Sequence, residues 1–215
     1  QAYALTTGAD GSIYIAGETD GDLDGQTKSG LSDAFISKFN PDGTKHWTKL
    51  LGKSYSLDKA YALTTGADGS IYIAGHTLSD LDVDGQINNG GWNAFISKYN
   101  ADGTKSWTRL VDSSILAFGS ALTTSADGFI YIVGSASGDL DGQTSNGHND
   151  AFISKFNPDG TKEWTRLLGT YSGEFGNALT TGADGYIYIA GRTYGDLDGQ
   201  TNNGSSDAFI SKFNT

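Results

Sequence analysis

The sequence predicts an all-β protein, a β-propeller with four blades of about 58 residues each. The segment Ala-Leu-Thr-Thr recurs four times, beginning at Ala4, Ala62, Ala121 and Ala178. Such self-similarity at a fixed period is the mark of a repeat architecture. No segment of useful length has the 3.6-residue periodicity of an amphipathic helix. Each copy instead reads as four short strands, and a propeller buries such units by stacking one blade on the next.

The strands of the first copy are predicted at 2–7, 12–17, 33–39 and 45–51. They are rich in β-branched and aromatic residues. The tight turns at 8–11 and 40–43 both contain Asp-Gly, a strong hairpin signal. The copies differ in length only in the loop between the second and third strands and in the connection after the fourth strand. Both lie at the end of the blade opposite the tight turns, where function is expected.

The chain is predicted to form a single domain, 1–215, with blades at 1–59, 60–117, 118–175 and 176–215. The fourth copy reaches Thr215 just after its third strand, so the last blade is predicted to have three strands and an uncovered edge. Three arrangements follow: a ring that tolerates one small blade, a piece of a longer array, or two chains paired into a larger ring. Self-association through the incomplete fourth blade is therefore an expected contact.

The charge of the chain argues against two classes of partner. The chain has 25 acidic and 14 basic residues, and its formal net charge is −11. Such a surface repels phosphate backbones and anionic lipids, so neither nucleic acid nor a membrane surface is expected as a partner. There is no cysteine, which excludes disulfides and thiolate chemistry. No apolar run is long enough to enter a membrane as a spanning helix.

Two segments resemble a known repeat: Asp-Ala-Phe-Ile-Ser-Lys-Phe-Asn-Pro-Asp-Gly-Thr-Lys-x-Trp-Thr (33–48) and Ala-Leu-Thr-Thr-Gly-Ala-Asp-Gly-Ser-Ile-Tyr-Ile-Ala-Gly (62–75). They are similar to the bacterial β-propeller repeat called SBBP, and the likeness extends over nearly the whole chain. The resemblance implies a propeller module of a secreted or cell-surface bacterial protein. It implies no catalytic residues. The name of that family implies seven blades, whereas this chain has four copies.

The long loop of each copy carries alternate Asp residues before a Gly. This pattern lets hard oxygens converge on a calcium ion. The Glu that closes an EF-hand loop is absent, so a later oxygen donor is expected to close the site, at Asp33, Asn93, Asp150 or Asp207. The alternative is that these residues only form turns. Calcium is the predicted cofactor, and the candidate ligands are Asp20, Asp22, Asp24, Asp33, Asp80, Asp82, Asp84, Asp139, Asp141, Asp196 and Asp198.

A few aromatic residues suggest a ligand site. Trp92 has no counterpart in the other copies, and it is predicted to be exposed beside Asn88 and Asn93, where its ring could stack on a sugar. The alternative is that it packs down on a neighbouring loop. Tyr55 and Tyr171, in the connections after the fourth strands, are further candidates.

His76 ends a second strand, at the position held by Glu18, Ser135 and Arg192 in the other copies. These four residues either surround a central pocket or are separately solvated.

No catalytic constellation is evident. The three histidines occupy unrelated repeat positions without a nucleophile partner, and the acids recur in every copy rather than forming one acid–base pair. The sequence therefore predicts a non-enzymatic extracellular binding or scaffold module, with a polysaccharide or a surface protein as partner. The alternative is a multivalent carbohydrate-binding lectin, and the third reading is a propeller enzyme that acts on polysaccharides.

Overall fold

The computed structural model describes residues 1–81, 87–88 and 91–214. Within these ranges the regular structure is entirely β, with 15 strands in four antiparallel sheets, and no helix could span a membrane. The strands are β1 (Ala2–Thr7), β2 (Ile13–Thr19), β3 (Asp33–Phe39), β4 (Lys45–Leu51), β5 (Asp58–Thr65), β6 (Ile71–Thr77), β7 (Asn93–Tyr99), β8 (Lys105–Val111), β9 (Leu116–Thr124), β10 (Ile130–Ser137), β11 (Asp150–Phe156), β12 (Lys162–Leu168), β13 (Glu174–Thr181), β14 (Ile187–Thr193) and β15 (Asp207–Phe213).

Each repeat forms one sheet in which neighbouring strands in sequence are neighbours in space. The strand orders are β1-β2-β3-β4, β5-β6-β7-β8, β9-β10-β11-β12 and β13-β14-β15. The prediction of four blades, the last with three strands, is therefore confirmed. The first strands of the later blades begin at Asp58, Leu116 and Glu174, two residues before the boundaries that the sequence repeat suggested.

Every blade has two apolar faces, because successive side chains of a strand point to opposite sides of the sheet. We call the face that meets the following blade the forward face; in the first blade it carries Tyr14, Ala16 and Ile36. We call the opposite face the backward face; in the second blade it carries Ile71, Ile73 and Phe95. These two sets of residues form one buried cluster between the first and second blades.

The same pairing of faces recurs at each seam, the boundary between two successive blades. Tyr72, Ala74 and Ile96 pack against Ile130, Ile132 and Phe152 at the second seam. Tyr131, Val133 and Ile153 pack against Ile187, Ile189 and Phe209 at the third. The repeated tryptophans, Trp47, Trp107 and Trp164, belong to these clusters, as expected. Apolar burial at the seams therefore holds the blades together.

The blades contact one another in chain order. Extensive contacts join β1 to β5, β5 to β9 and β9 to β13, whereas no comparably extensive contact among the described strands joins β13 back to β1. The two outer faces of the stack consequently remain uncovered. Ile210, on the forward face of the fourth blade, is 73% exposed, and Leu5, on the backward side of the first blade, is 69% exposed.

Candidate functional site: the long-loop face

One end of every blade gathers the two variable loops. Thr19 pairs with Asp33 and Ala34 pairs with Leu51, so β2 ends, β3 begins and β4 ends at the same edge. A bridge between Ser32 and Leu57 brings the connection to the next blade to this edge as well. We call this end the long-loop face. The candidate residues predicted from the sequence lie in or beside its loops.

In the three long loops whose Asp-Gly pair the structure describes, that pair forms a two-residue hairpin turn. Asp24 and Gly25 have φ values of 52° and 75°, and Leu23 and Gln26 exchange backbone hydrogen bonds of 3.0 and 2.9 Å around them. Asp141–Gly142 and Asp198–Gly199 repeat this geometry. Positive φ at both central residues is what a type I′ turn requires, and Asp-Gly is favoured there.

The carboxylate of Asp24 is already neutralised by a lysine. One oxygen accepts a hydrogen bond from Lys45 Nζ and the other accepts one from Thr48 Oγ1. The Lys45 ammonium and the Thr48 hydroxyl together lower the pKa of Asp24. Asp141 is held in the same way by Lys162 and Thr165. Both partners come from the fourth strand of the blade.

In each long loop, an aspartate near the start of the loop hydrogen-bonds to the backbone near its end. Its carboxylate accepts a backbone N–H from farther along the loop: Lys28 N to Asp22, Asn88 N to Asp80, Ser145 N to Asp139 and Asn202 N to Asp196. Asp20 is exposed, and Asp82 and Asp84 lie outside the described residues. Among the described residues no group of three His, Cys, Asp or Glu side chains converges. Calcium binding in these loops stays a prediction.

The later oxygen donors anchor the loops at the seams. Asp33 is fully buried, and its carboxylate accepts the backbone N–H groups of Ser29 and Gly30 at 2.9 and 2.7 Å. Asn93 is also fully buried, and its side chain donates to Asn88 Oδ1 at 2.9 Å. Asn88 and Asn93, which were predicted to lie beside a sugar-binding Trp92, therefore hydrogen-bond to each other within the loop.

Two seams bury a second acid near the first. Asp58 is fully buried, and its Oδ1 accepts a hydrogen bond from Ser56 Oγ while Oδ2 has no partner. Burial raises the pKa of Asp58 to about 6, and the nearby charge of Asp33 adds to the shift. At the third seam, burial raises the pKa of Asp150, and Glu174 contributes in the same direction.

Trp92 is half-buried rather than exposed, which corrects the expectation from its Gly-rich loop. Its ring meets the edge of His76 at 4.5 Å between centroids and lies 6.1 Å from Phe118. Its carbonyl oxygen accepts the backbone N–H of Ala117. Trp92 and His76 belong to the second blade and Phe118 to the third, so the three rings close the seam.

His76 is a buried residue of this cluster. Tyr61 and Phe118 flank its ring at 5.1 and 4.9 Å. Its Nδ1 has no hydrogen-bond partner. Burial lowers the pKa of His76 to about 4, and the positive charge of Lys59 contributes. The imidazole is therefore neutral at physiological pH, and its ring packs against the rings of Tyr61, Trp92 and Phe118.

Glu18 occupies the matching place at the first seam. It accepts hydrogen bonds from Tyr3 and Ser32 and forms an ion pair with Lys59 of the second blade. Burial alone would raise the pKa of Glu18, but the hydrogen bonds from Tyr3 and Lys59 outweigh it and the pKa is lowered. The carboxylate is thus held in its charged form by structural partners.

The four residues that end the second strands accordingly differ in burial. Glu18, His76 and Ser135 are buried at the three seams. Arg192 is exposed, and its guanidinium lies 4.6 Å from the Phe175 ring centroid. These side chains close seams where a following blade exists.

The sequence predictions missed Lys59 and Phe118, which contact a strand end of the preceding blade, and Phe175, which contacts Arg192 of its own blade. They share one repeat position, opposite His76, Ser135 and Arg192 in the strand pairing. Their variation among otherwise similar copies was the signal that could have found them.

Three large apolar side chains in the connections between blades are exposed on this face. Tyr55 is 89% exposed and Tyr171 is 84% exposed, and Ile115 projects from the intervening connection. Tyr55 also has a φ of 63°, which is uncommon for an aromatic residue. We call Tyr55, Ile115 and Tyr171 the connection row. Two of the predicted ligand-binding residues, Tyr55 and Tyr171, are therefore available to a partner.

Comparisons with known proteins agree on the architecture. Residues 8–45 match a family described as "Domain of unknown function (DUF5122) beta-propeller". A crystal structure of a protein of unknown function from Bacteroides caccae covers the whole chain with a TM-score of 0.52, at 10% identity and over 61% of that protein. The chain has a β-propeller fold. The comparisons support a β-propeller family without singling out the SBBP repeat.

Two further similarities complete the comparison. The regulatory protein FlaEY of Caulobacter vibrioides is 28% identical over 94% of this propeller. The propeller spans only about a quarter, 24%, of the length of FlaEY. A putative gluconolactonase structure aligns with a TM-score of 0.45 at 15% identity, over 97% of this chain and 57% of that one. A likeness at that level transfers no catalytic activity.

Proposed function

We propose that this propeller is a non-enzymatic binding and scaffold module of a secreted or surface protein, and that it binds a protein partner through the long-loop face. The observation that carries the proposal is that the buried and the exposed side chains of that face have different roles. Glu18, His76 and Trp92 pack or pair within the seams, whereas the connection row projects into solvent. Exposed apolar side chains grouped on one face favour a role in recognition.

Several features support this reading over catalysis. His76 is buried and neutral, Glu18 is fixed by an ion pair, and the loop aspartates make turns. Among the described residues, none of these groups faces a second titratable group across an open cleft, as acid–base catalysis requires. The resemblance to SBBP repeats favours an extracellular setting. The similarity to a segment of a longer regulatory protein fits a module that works within a larger chain.

Binding of a carbohydrate is the second candidate. Tyr55 and Tyr171 present nearly whole phenol rings in matching connections two blades apart. Such rings stack on the apolar face of a sugar, and two weak sites on one rigid body gain avidity on a repeating polysaccharide.

One pair of variants distinguishes these candidates. The double variant Tyr55→Ser, Tyr171→Ser removes the exposed rings, and Leu78→Ser removes an apolar side chain outside the connection row as a control. The chain is immobilised and exposed to a glycan array and, separately, to the surface and secreted proteins of the source organism. A protein retained by the wild type and the control, but lost from the double variant, supports the scaffold proposal. Glycan hits lost from the double variant favour the lectin. Hydrolysis or elimination products released from the array would contradict both.

A further inference from the structure

The forward face of the fourth blade is built like the forward faces that are buried. Ile36, Ile96 and Ile153 are at most 1% exposed because each lies under the following blade. Ile210 holds the same repeat position and is 73% exposed. Around it lie Ala178, Tyr188 and Ala190, which line a shallow apolar surface. The fourth blade thus exposes the same apolar positions that the other blades bury in a seam.

The backward face of the first blade is the complementary surface. Ile13 and Ile15 are partly exposed, whereas their equivalents Ile71 and Ile73 are fully buried under the preceding blade. Leu5 extends this face and is 69% exposed. Both halves of a seam are therefore present in one chain, at opposite ends of the stack.

Polar groups show the same complementarity. At the second seam, Lys98 Nζ and Trp107 Nε1 of the forward face both donate to the carbonyl oxygen of Pro158, each at 3.2 Å. At the first seam, Lys38 and Trp47 donate to the carbonyl of Ala101, the equivalent turn position.

The fourth blade carries the corresponding lysine, Lys212, and the first blade carries the corresponding acceptor, the carbonyl of Pro41. Gly43, in the turn that contains Pro41, has no neighbouring atom within 4 Å of an added Cβ, whereas its equivalents Gly103 and Gly160 abut tryptophan rings. This part of the first blade is open to an incoming face.

We propose that the forward face of the fourth blade binds the backward face of the first blade of a second copy of this chain, head to tail. The occupant is specified by the chain itself, because three internal seams join faces of these two kinds. Such a contact is heterologous, so it closes a dimer when it forms twice and otherwise extends into a longer assembly. The new seam lacks the tryptophan of a fourth strand, so we expect it to be weaker than an internal seam and to depend on concentration.

Sedimentation velocity over a wide range of protein concentration tests the proposal. We expect the wild type to move from monomer to dimer or larger species as concentration rises. Ile210→Asp and Leu5→Asp should each remain monomeric, because each buries a charge in every copy of the seam. Both positions are exposed in the monomer, so circular dichroism should show both variants folded. Leu31→Asp, at an exposed position of the first long loop and outside the connection row, is the matched control and should assemble like the wild type.

Mixing the two variants gives the decisive result. Ile210→Asp retains an intact first-blade face and Leu5→Asp retains an intact fourth-blade face, so an equimolar mixture should form a heterodimer with a single seam. A wild type that stays monomeric at every concentration overturns the proposal. Assembly blocked by Ile210→Asp but not by Leu5→Asp, without rescue on mixing, also overturns it, because that result indicates pairing between two fourth blades.

Discussion

Glu18 at the end of β2 and Lys59 in β5 form an ion pair across the first seam, with 2.9 Å between Oε2 and Nζ. Glu18 is buried and also accepts hydrogen bonds from Tyr3 and Ser32. Removing one member of a desolvated pair leaves the other without its partner, which is more costly than removing both. The pair therefore tests whether the strand ends stabilise the stack.

We expect Glu18→Gln to lower the free energy of unfolding by about 1–3 kcal/mol. The loss in the double variant Glu18→Gln, Lys59→Met should be smaller than the sum of the two single losses. Urea unfolding measures all three values. The exposed ion pair of Lys53 with Asp80 is the control, and Lys53→Met should change stability by less than about 0.5 kcal/mol. Strict additivity of the two single losses would mean that Glu18 and Lys59 act independently.

Ile36 and Ile210 provide a matched test of the uncovered face, because they share one repeat position. In dilute solution Ile36→Ala should lower the free energy of unfolding by about 2–4 kcal/mol, since it opens a cavity at a closed seam. Ile210→Ala should lower it by less than about 0.5 kcal/mol, since that side chain is already in water. Chemical unfolding of both variants gives the comparison. Equal losses would show that the fourth blade is covered in the monomer.

His76 should make stability depend on pH. The pKa of His76 is about 4 in the folded chain against 6.5 for the free side chain. The folded state therefore favours the neutral ring, and this contribution is complete above pH 6.5 and lost as pH falls toward 4. The difference corresponds to about 3 kcal/mol.

The matched variant for this prediction is His76→Phe, which keeps an aromatic ring in the cluster. Its stability should fall less than that of the wild type over the same pH window, as measured by unfolding at a series of pH values. An NMR titration of the His76 ring gives an independent reading. A midpoint near 6.5 would contradict the burial of His76.

Calcium bound at the predicted site of the first loop should raise the melting temperature by only a small amount. Lys45 and Thr48 already satisfy both carboxylate oxygens of Asp24, so an added ion would have to displace them. Melting the protein in calcium and again in excess EDTA makes the comparison. An upward shift that disappears in the variant Asp22→Asn, Asp24→Asn would support calcium binding by this loop in the folded state, and no shift in the wild type would contradict it.

Local structure was largely predictable from the sequence. The strands at Asp33–Phe39 and Lys45–Leu51 have the bounds that alternation and the Asp-Gly turns predict, because both signals act over a few residues. The burial of the repeated tryptophans followed from their regular spacing. These features depend on chemistry that one copy of the repeat contains in full.

Contacts between copies were not predictable in the same way. Trp92 seemed available to a ligand because the residues that cover it, His76 and Phe118, lie far away in sequence and in two different blades. The contact of Asp24 with Lys45 was not predicted, because Lys45 comes from another strand of the sheet. The position of such a partner depends on register and blade stacking, which no single segment encodes.

Because the three seams are built from the same residue types, one blade could replace another in the stack. Removing one whole repeat would bring the forward face of the blade before it against the backward face of the blade after it. That pairing of Tyr, Ala and Ile with Ile, Ile and Phe already exists at other seams of the chain. Gain or loss by recombination between near-identical repeats would therefore preserve packing whenever it exchanges complete units. The number of blades can therefore change without loss of seam packing, whereas a one-residue change of register within a blade would turn its apolar side chains to the wrong face.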